Sequence, residues 1–501
     1  MKFLKGLIIA LSLVLAGLCL FFEMKSDSSR FVREEAKKHV FPVVSIEAFD
    51  GELNIEEKPE GARIIIADTE GNIILKENCT VEKSGNSSNK YTIKPMKLRF
   101  DAKLNIFNEP DSGECAVYKL RNCGTDFEKT MMRNLLTVTI AREAGFTETP
   151  KVQPVAVYVD GEFYGLEDLV KDYSGGYIAS LYDLQAKGVE ILNGGENAWI
   201  RKLGYKDEDT LDFNDEATVR NFEENTDVDN LLTYYAFQII ADNCDWPLNN
   251  LKAWRYTSGN GRSQYGDGRF RYLLFDLDSC YGGYPERKDC FENLFYARYG
   301  KHEEELETSS EWRLMSSMME NKEYRRRFMN ILMDLLYYPM NAEHMNAIID
   351  EWVDKYRQEY AFVAANSTHA DGVNTALNFE TELEKLRAMV NGRREESYGY
   401  IYQYFGAESV FTLKLVKPDG GCDIIADNLT TKGILSETGA DGERPSVNSI
   451  RCCQYETKLE PLLADGTEFK CWRVNGNEYT DEILYIKGTE NEILTVELLI
   501  K

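Results

Sequence analysis

Histidine is scarce here. Four in 501 residues leave little room for a histidine-based metal site or a Ser-His-Asp triad. The eleven cysteines contain no CxxC pair, so the paired-thiol signature of zinc and redox motifs is missing. Basic charge is short too. Fifty-eight Lys and Arg face 84 Asp and Glu, a net charge of −26. Nucleic-acid binding needs a basic footprint, and this chain has none. The acidic balance fits a soluble domain outside the cytoplasm, and it equally fits plain solubility. No internal repeat of solenoid length is present. What is present is ordinary for a globular protein: 43% hydrophobic residues, 12% of the chain aromatic, and length for two or three domains.

The first residues are of another kind. Lys2 and Lys5 precede an apolar run from Gly6 to Phe22, which Glu23 ends. This reads as a signal peptide or a signal anchor, near the minimum length for a spanning helix. The lysines would stay inside and place the rest outside, so that only this segment meets a membrane. In that compartment cysteines can pair; apart from the adjacent Cys452 and Cys453, Cys115 with Cys123 and Cys280 with Cys290 are nearest in sequence. Their sparse spacing fits buried free thiols equally well.

The chemistry concentrates between Asp242 and Gly283. Asp245 is followed five residues on by Asn250. Leu251 to Tyr256 is strand-like, residues 257–268 form a Gly/Ser/Asn loop, and Phe270 to Leu277 reads as a buried strand. Asp276 and Asp278 end that second strand. The ends of a hairpin lie close together, so Asp245 and Asn250 can face one cleft with Asp276 and Asp278. Hard oxygen ligands suit Mg²⁺ and phosphate, and an aspartate can accept a hydroxyl proton. An Asp with an Asn five residues on, then a second acidic site, is how phosphoryl-transfer enzymes arrange these roles. Either half alone would more simply be a capped turn or a strand end.

Around this stretch the order is strands first, helices later. Antiparallel strands are expected across Phe41 to Leu75. A loop Gly85-Asn86-Ser87-Ser88 leads into a strand on which Lys94, Met96, Leu98 and Phe100 share a face. A lysine on an apolar face must be paired or desolvated, and Pro95 marks an edge strand. Thr125 and Asp126 open a helix through Gly145, carrying Arg133. Val155–Val159 and Phe163–Val170 flank an Asp160-Gly161 turn. Residues 175–226 are poorly patterned. A helix from Asp227 to Asn243, with Leu231, Leu232, Tyr235 and Ile239 inward, delivers the chain to Asp245. An acidic run, Glu303 to Glu307, reads as solvated surface. Further helices are expected over Ser309–Tyr337, Ala342–Phe362 and Thr381–Phe405, then short strands from Val410 onward.

The chain resembles the CotH kinase family, named for the spore coat protein H. The features are GNSS at Gly85–Ser88 with Lys94, RNCGTDFEKTMMRN from Arg121, VYVDGEFYGL from Val157, DNCDWPLNNLKAWR from Asp242 and RFRYLLFDLDSCYGG from Arg269. They occur in the family's order over roughly Phe41 to Phe405. The resemblance implies an α+β, atypical protein-kinase-like core, ATP and Mg²⁺ as cofactors, and phosphorylation of Ser/Thr in extracytoplasmic proteins. It assigns the phosphates to Gly85, Asn86, Ser87, Ser88 and Lys94. Asp245 would be the catalytic aspartate, with Asn250 and Asp276 or Asp278 at the metal. The domain layout expected is a signal segment (1–25), a juxtamembrane stalk (26–40), a CotH-like kinase domain (41–408) and a small all-β domain (409–501).

Two positions depart from the family pattern. Ser84 stands where Arg is usual before GNSS, and Lys171 where a Glu is usual, with Glu167 four residues earlier. A lysine there would repel Lys94 if the two were close. These departures leave a second expectation open, a weak or inactive pseudokinase acting as an envelope or coat scaffold. A metal-dependent phosphohydrolase using the same carboxylates is a third.

Overall fold

The computed structural model describes residues 28–56, 58–110, 112–193, 211–247, 249–259, 263–283, 289–292, 310–433 and 444–501. The expected signal segment and the Glu303–Glu307 run lie outside the described residues. Among those described, no helix is long and apolar enough to cross a membrane. The fold is mixed α+β. Two compact units emerge: Met1–Leu135, Pro150–Leu181 and Asp350–Leu383 form the first, and Leu136–Thr149, Tyr182–Ile349 and Glu384–Lys501 the second.

The first unit is built on a closed seven-stranded barrel in the order β1-β2-β3-β4-β5-β7-β6. Its strands are β1 (Val43–Ala48), β2 (Glu60–Ala67), β3 (Ile73–Lys83), β4 (Met96–Leu104), β5 (Cys115–Arg121), β6 (Gln153–Val159) and β7 (Glu162–Lys171). Neighbours pair antiparallel except β1 with β6, whose parallel ladder closes the wall. The β6–β7 turn places Asp160 and Gly161 at φ 48° and 87°, the left-handed pair a tight hairpin needs. Alternation fixes the faces: Val44, Ile64, Val81, Leu98, Leu120, Val155 and Leu169 share one face and are buried. On the other face Lys76, Asn78 and Arg99 are exposed.

The segment expected as a stalk is helical over 28–36 and buries Val32 and Ala36. The helix expected from Asp126 starts later, as α1 (Arg133–Glu143). Asp126 accepts from the Thr130 and Arg133 amides and from the Thr130 hydroxyl, and Glu128 and Met131 sit at positive φ. That knot of hydrogen bonds delays the helix by seven residues. Arg133 forms a buried ion pair with Asp126. Then follows α2 (Gly175–Tyr182).

In the second unit α3 (Glu216–Asn225) precedes α4 (Val228–Ile240), which is capped by Asp227 through the Asn230 amide. Leu231, Leu232, Tyr235 and Ile239 of α4 are fully buried, as its spacing predicts. A three-stranded sheet joins β8 (Val189–Asn193), β9 (Lys252–Tyr256) and β10 (Arg271–Tyr272). The return strand expected over Phe270–Leu277 is only two residues long. Phe270 exchanges its backbone bonds with Asn225 and Asp227, and Leu273, Leu274 and Leu277 are buried as irregular chain. Burial rather than pairing explains the apolar run.

The helix expected over Ser309–Tyr337 is two: α5 (Ser310–Met318) and α6 (Lys322–Tyr337), divided where the Asn321 side chain caps the amides of Glu323 and Tyr324. Then come α7 (Ala342–Asn366) and α8 (Ala370–Phe405), the latter starting before Thr381. The C-terminal strands form two sheets, β14-β11-β19-β16-β17 and β13-β12-β15-β18. They are β11 (Val410–Val416), β12 (Asp423–Ala426), β13 (Leu429–Thr430), β14 (Ser446–Cys452), β15 (Thr457–Leu462), β16 (Phe469–Val474), β17 (Asn477–Tyr479), β18 (Leu484–Ile486) and β19 (Ile493–Ile500). Leu413, Leu459, Trp472 and Val496 fill the core between them. The ten described cysteines are all free thiols, nine of them buried.

Candidate functional site

The end of α4 decides where Asp245 goes. Asp242 turns the chain at φ 50°. The Asn243 amide group then donates to Gln238 Oε1 at 2.9 Å, and Asn243 Oδ1 accepts from the Asp245 backbone N–H at 3.3 Å. Asp245 is half-buried. Its Oδ1 accepts from the Asn249 side chain at 3.0 Å and its Oδ2 from the Asn250 side chain at 2.9 Å. The two amides fix the carboxylate plane. Asn250, at φ 58°, spends an amide hydrogen on Asp245, so its carbonyl oxygen is the atom suited to a cation.

The acidic segment runs beside this loop. β9 and β10 pair through Ala253 with Tyr272, and the Leu273 amide reaches the Lys252 carbonyl at 3.0 Å. The Lys252 ammonium lies 3.8 Å from the Phe275 ring centroid, so the chains stay adjacent up to the residue before Asp276. Beyond it, the Tyr281 amide bonds the Ala241 carbonyl at 2.9 Å. Burial pushes the Cys280 thiol well up, and the charges of Cys244 and Asp278 add to the shift. Asp276 takes the left-handed conformation at φ 59°, which Asp tolerates, and is half-buried. Asp278 is buried, with the Ser279 hydroxyl 3.3 Å from its Oδ1.

These donors suit magnesium by type: two carboxylates and an amide oxygen, all hard ligands. Among the described residues no group of three or more His, Cys, Asp or Glu is gathered as a complete metal cage. Mg²⁺ commonly takes one or two protein carboxylates and completes its shell with substrate phosphates and water, so the set fits shared rather than all-protein ligation.

The other candidate residues lie in the first unit. The GNSS loop joins β3 to β4, and the Ser84 amide to the Pro95 carbonyl at 3.0 Å closes its base. Gly85 sits at φ 77°, and a Cβ there would come 2.3 Å from Ser88 Oγ. Only glycine allows the loop to fold so tightly without displacing that hydroxyl. Asn86 and Ser87 are exposed at the tip, and Ser88 is half-buried. The Asn89 side chain ties the loop to the Ser84 and Gly85 carbonyls at 2.9 and 2.6 Å.

Lys94 differs from its expected place. It precedes β4, while Met96, Leu98 and Phe100 do occupy a buried face. Its ammonium is half-exposed and bonds Glu56 Oε1 at 3.2 Å and the Asn89 carbonyl at 3.1 Å. Lys83 first and Lys94 second hold the Glu56 carboxyl below its ordinary range.

Lys171 has partners of its own. It is buried on β7, with its ammonium on Ser112 Oγ at 2.6 Å, Asn105 Oδ1 at 2.9 Å and the Ser112 carbonyl at 3.1 Å. Glu167 sits four residues back on the same face, about 13 Å along the strand by ordinary rise. Its carboxyl is buried, and among the described residues neither oxygen has a hydrogen-bond partner. Burial, then the neighbouring Asp168, push its pKa well up.

Two residues of these sites escaped sequence reasoning. Glu56 lies 38 residues from Lys94 in an acidic loop with no motif. Asn122 fastens the loop through the Ser88 and Ile93 carbonyls at 3.1 and 2.7 Å, and only its place in RNCGTD hinted at it. The structure thus holds Asp245 with Asn250 in the second unit, and runs the chain that leads to Asp276 beside the strand that follows them. It gathers Gly85–Ser88 with Lys94 in the first.

Comparison with known proteins adds independent information. No curated protein matches the chain. Among solved structures, the crystal structure of a Helicobacter pylori proinflammatory kinase, CtkA, is similar at 10% identity and a TM-score of 0.22. That match covers 61% of this chain and 95% of that one, and so low a score carries no argument. A sequence model of the family described as CotH kinase protein matches residues 81–396, well over half the chain. That span takes in the glycine loop, Asp245, Asn250 and the 276–278 segment, and the chain belongs to the CotH kinase protein family.

Proposed function

We propose that the chain transfers the γ-phosphoryl group of ATP to Ser or Thr hydroxyls of proteins outside the cytoplasm. The acceptor oxygen forms a bond to phosphorus, the bond to ADP breaks, and the hydroxyl proton passes to Asp245. The supporting observation is the pair of side-chain amides, from Asn249 and Asn250, that hold the Asp245 carboxylate. A residue that must be oriented to accept a proton is served by such bonds. Asn250, Asp276 and Asp278 would hold Mg²⁺, which supplies charge neutralisation on the phosphates. Lys94 and residues 85–88 are assigned to the phosphate groups. The expected layout of a kinase domain over 41–408, a β-domain over 409–501 and export through the N-terminal segment belongs to the same proposal.

The test is transfer of label from γ-labelled ATP to a generic protein acceptor, with Mg²⁺. Asp245→Ala should fall about 10² to 10⁴-fold, the usual contribution of a positioned base. Equal transfer by wild type and variant would remove Asp245 from the mechanism.

A second reading, a nucleotide-binding pseudokinase acting as scaffold, is favoured by one feature. The Lys94 ammonium is engaged by Glu56 and Asn89, and the Glu167 carboxyl has no hydrogen-bond partner among the described residues. Nucleotide binding without transfer would identify that state.

A further inference from the structure

We infer that Arg393 is a positioning residue for the phosphotransferase reaction, clamping the end of α4 so that Asp245 and Asn250 are presented in one geometry. This rests on the proposed function for its catalytic half and on the structure alone for its mechanical half.

Arg393 lies on α8 and is 2% exposed. Its Nε donates to the Ile240 carbonyl at 2.6 Å and its Nη2 to the Ile239 carbonyl at 2.6 Å. The last carbonyls of a helix have no partner within it, and a cation beside them also meets the negative end of the helix dipole. The remaining donor side of the guanidinium pairs with Asp289. One residue on, the Cys290 amide donates to Asp242 Oδ1 at 3.0 Å. The Cys290 thiol faces the Asn243 carbonyl at 3.7 Å. Residues 239–243 are therefore held by Arg393, by residues 289–290, and by the Tyr281 amide on Ala241. Asp245 begins two residues later, leaning on the Asn243 side chain.

The charge state supports the same picture. Burial alone would lower the Arg393 pKa, yet Asp289 and Asp242 outweigh it and keep the group above its ordinary value. Burial pushes Asp242 up, and Arg393 pulls it back. Two carbonyls and a carboxylate served at once need the planar fork of an arginine; a lysine ammonium reaches fewer of them in this geometry. A buried core would be served as well by an apolar side chain. What arginine adds is a fixed helix end, and the chain leaving that end is the one that carries Asp245.

The experiment uses the full chain with Arg393→Met, Arg393→Lys and Asp289→Asn, studied well below each variant's melting temperature. Two quantities are read: amide hydrogen exchange of residues 241–247, and kcat and KM for phosphate transfer from Mg-ATP. A misplacement near 1 Å costs about 10²-fold in rate. Arg393→Met should therefore lower kcat about 100-fold with KM for ATP within about twofold. Exchange over 241–247 should quicken while that of β11 to β19 stays as in wild type. Arg393→Lys should recover part of both effects. A general loss of stability would instead quicken exchange everywhere and leave kcat of the folded protein intact. Unchanged exchange over 241–247 in Arg393→Met overturns the inference, and so does faster exchange there with kcat intact. If Arg393→Met does not fold, Asp289→Asn, which keeps both carbonyl bonds, carries the same two measurements with smaller effects expected in the same direction. A wild type that transfers no phosphate removes the proposed function, and exchange over 241–247 then decides the clamp by itself.

Discussion

Glu148 shows how much one buried carboxyl can tie stability to pH. It is 5% exposed and accepts from the Tyr182 hydroxyl at 3.1 Å. Burial, eased by hydrogen bonds and by Arg271 and Arg142, raises its pKa from 4.5 to about 7. The folded state therefore holds a proton that the unfolded chain releases between those values. Its contribution is fully present below pH 4.5 and is lost as pH rises through 7, about 3 kcal/mol by linkage. Urea unfolding of wild type and Glu148→Gln from pH 4 to 8 should show it. The stability difference should move in favour of the variant as pH rises, and a flat difference would count against a raised pKa. The same residue scale explains why site chemistry was partly legible. Asp245 and Asn250 announce themselves by spacing and residue type. Glu56 does not, because its pairing with Lys94 is a contact between loops distant in sequence. Lys171 was legible as an anomaly, but its partners Asn105 and Ser112 sit on another loop, so the place of its ammonium could not be read.

Elements were legible where a local period or turn set them. The Asp160-Gly161 hairpin, α4 and most of the barrel strands follow from alternation, helical spacing and left-handed turn residues. Two misses among the helices share one cause, side chains competing for backbone groups. Asp126 delays α1, and Asn321 splits α5 from α6. β8 lacks an alternating pattern because all but one of its residues are half-buried. One join between elements carries a sharp expectation. Arg451 of β14 is fully buried and pairs with Asp334 of α6, whose Oδ1 also accepts from Ser449 at 2.5 Å. Burial raises the Asp334 pKa, and Arg451 is the leading influence holding it down. Arg451→Met should strand that carboxyl and destabilise the fold by about 3 kcal/mol or more. The urea midpoint would report it, falling with the slope unchanged. A midpoint within error of wild type would mean the pair contributes little.

For the whole molecule, nucleotide binding is the most discriminating measurement. A ligand that binds only the folded state stabilises it by mass action, about 2.7 kcal/mol at a hundred times its dissociation constant. Mg-ATP should raise the melting temperature of wild type, and Lys94→Met should diminish the rise. No shift at millimolar Mg-ATP would leave both the kinase and the pseudokinase readings without a nucleotide. The α+β class and family membership were readable across the chain because the motifs recur in order. The two compact units were not, since each is assembled from segments far apart in sequence. The closed barrel has a further consequence. Its seven strands satisfy one another in a ring, so its wall offers no open backbone ladder to a foreign strand. The C-terminal sheets end instead at β13, β14, β17 and β18. Strand borrowing between copies, or the first template for fibrils, would begin at those borders and spare the barrel.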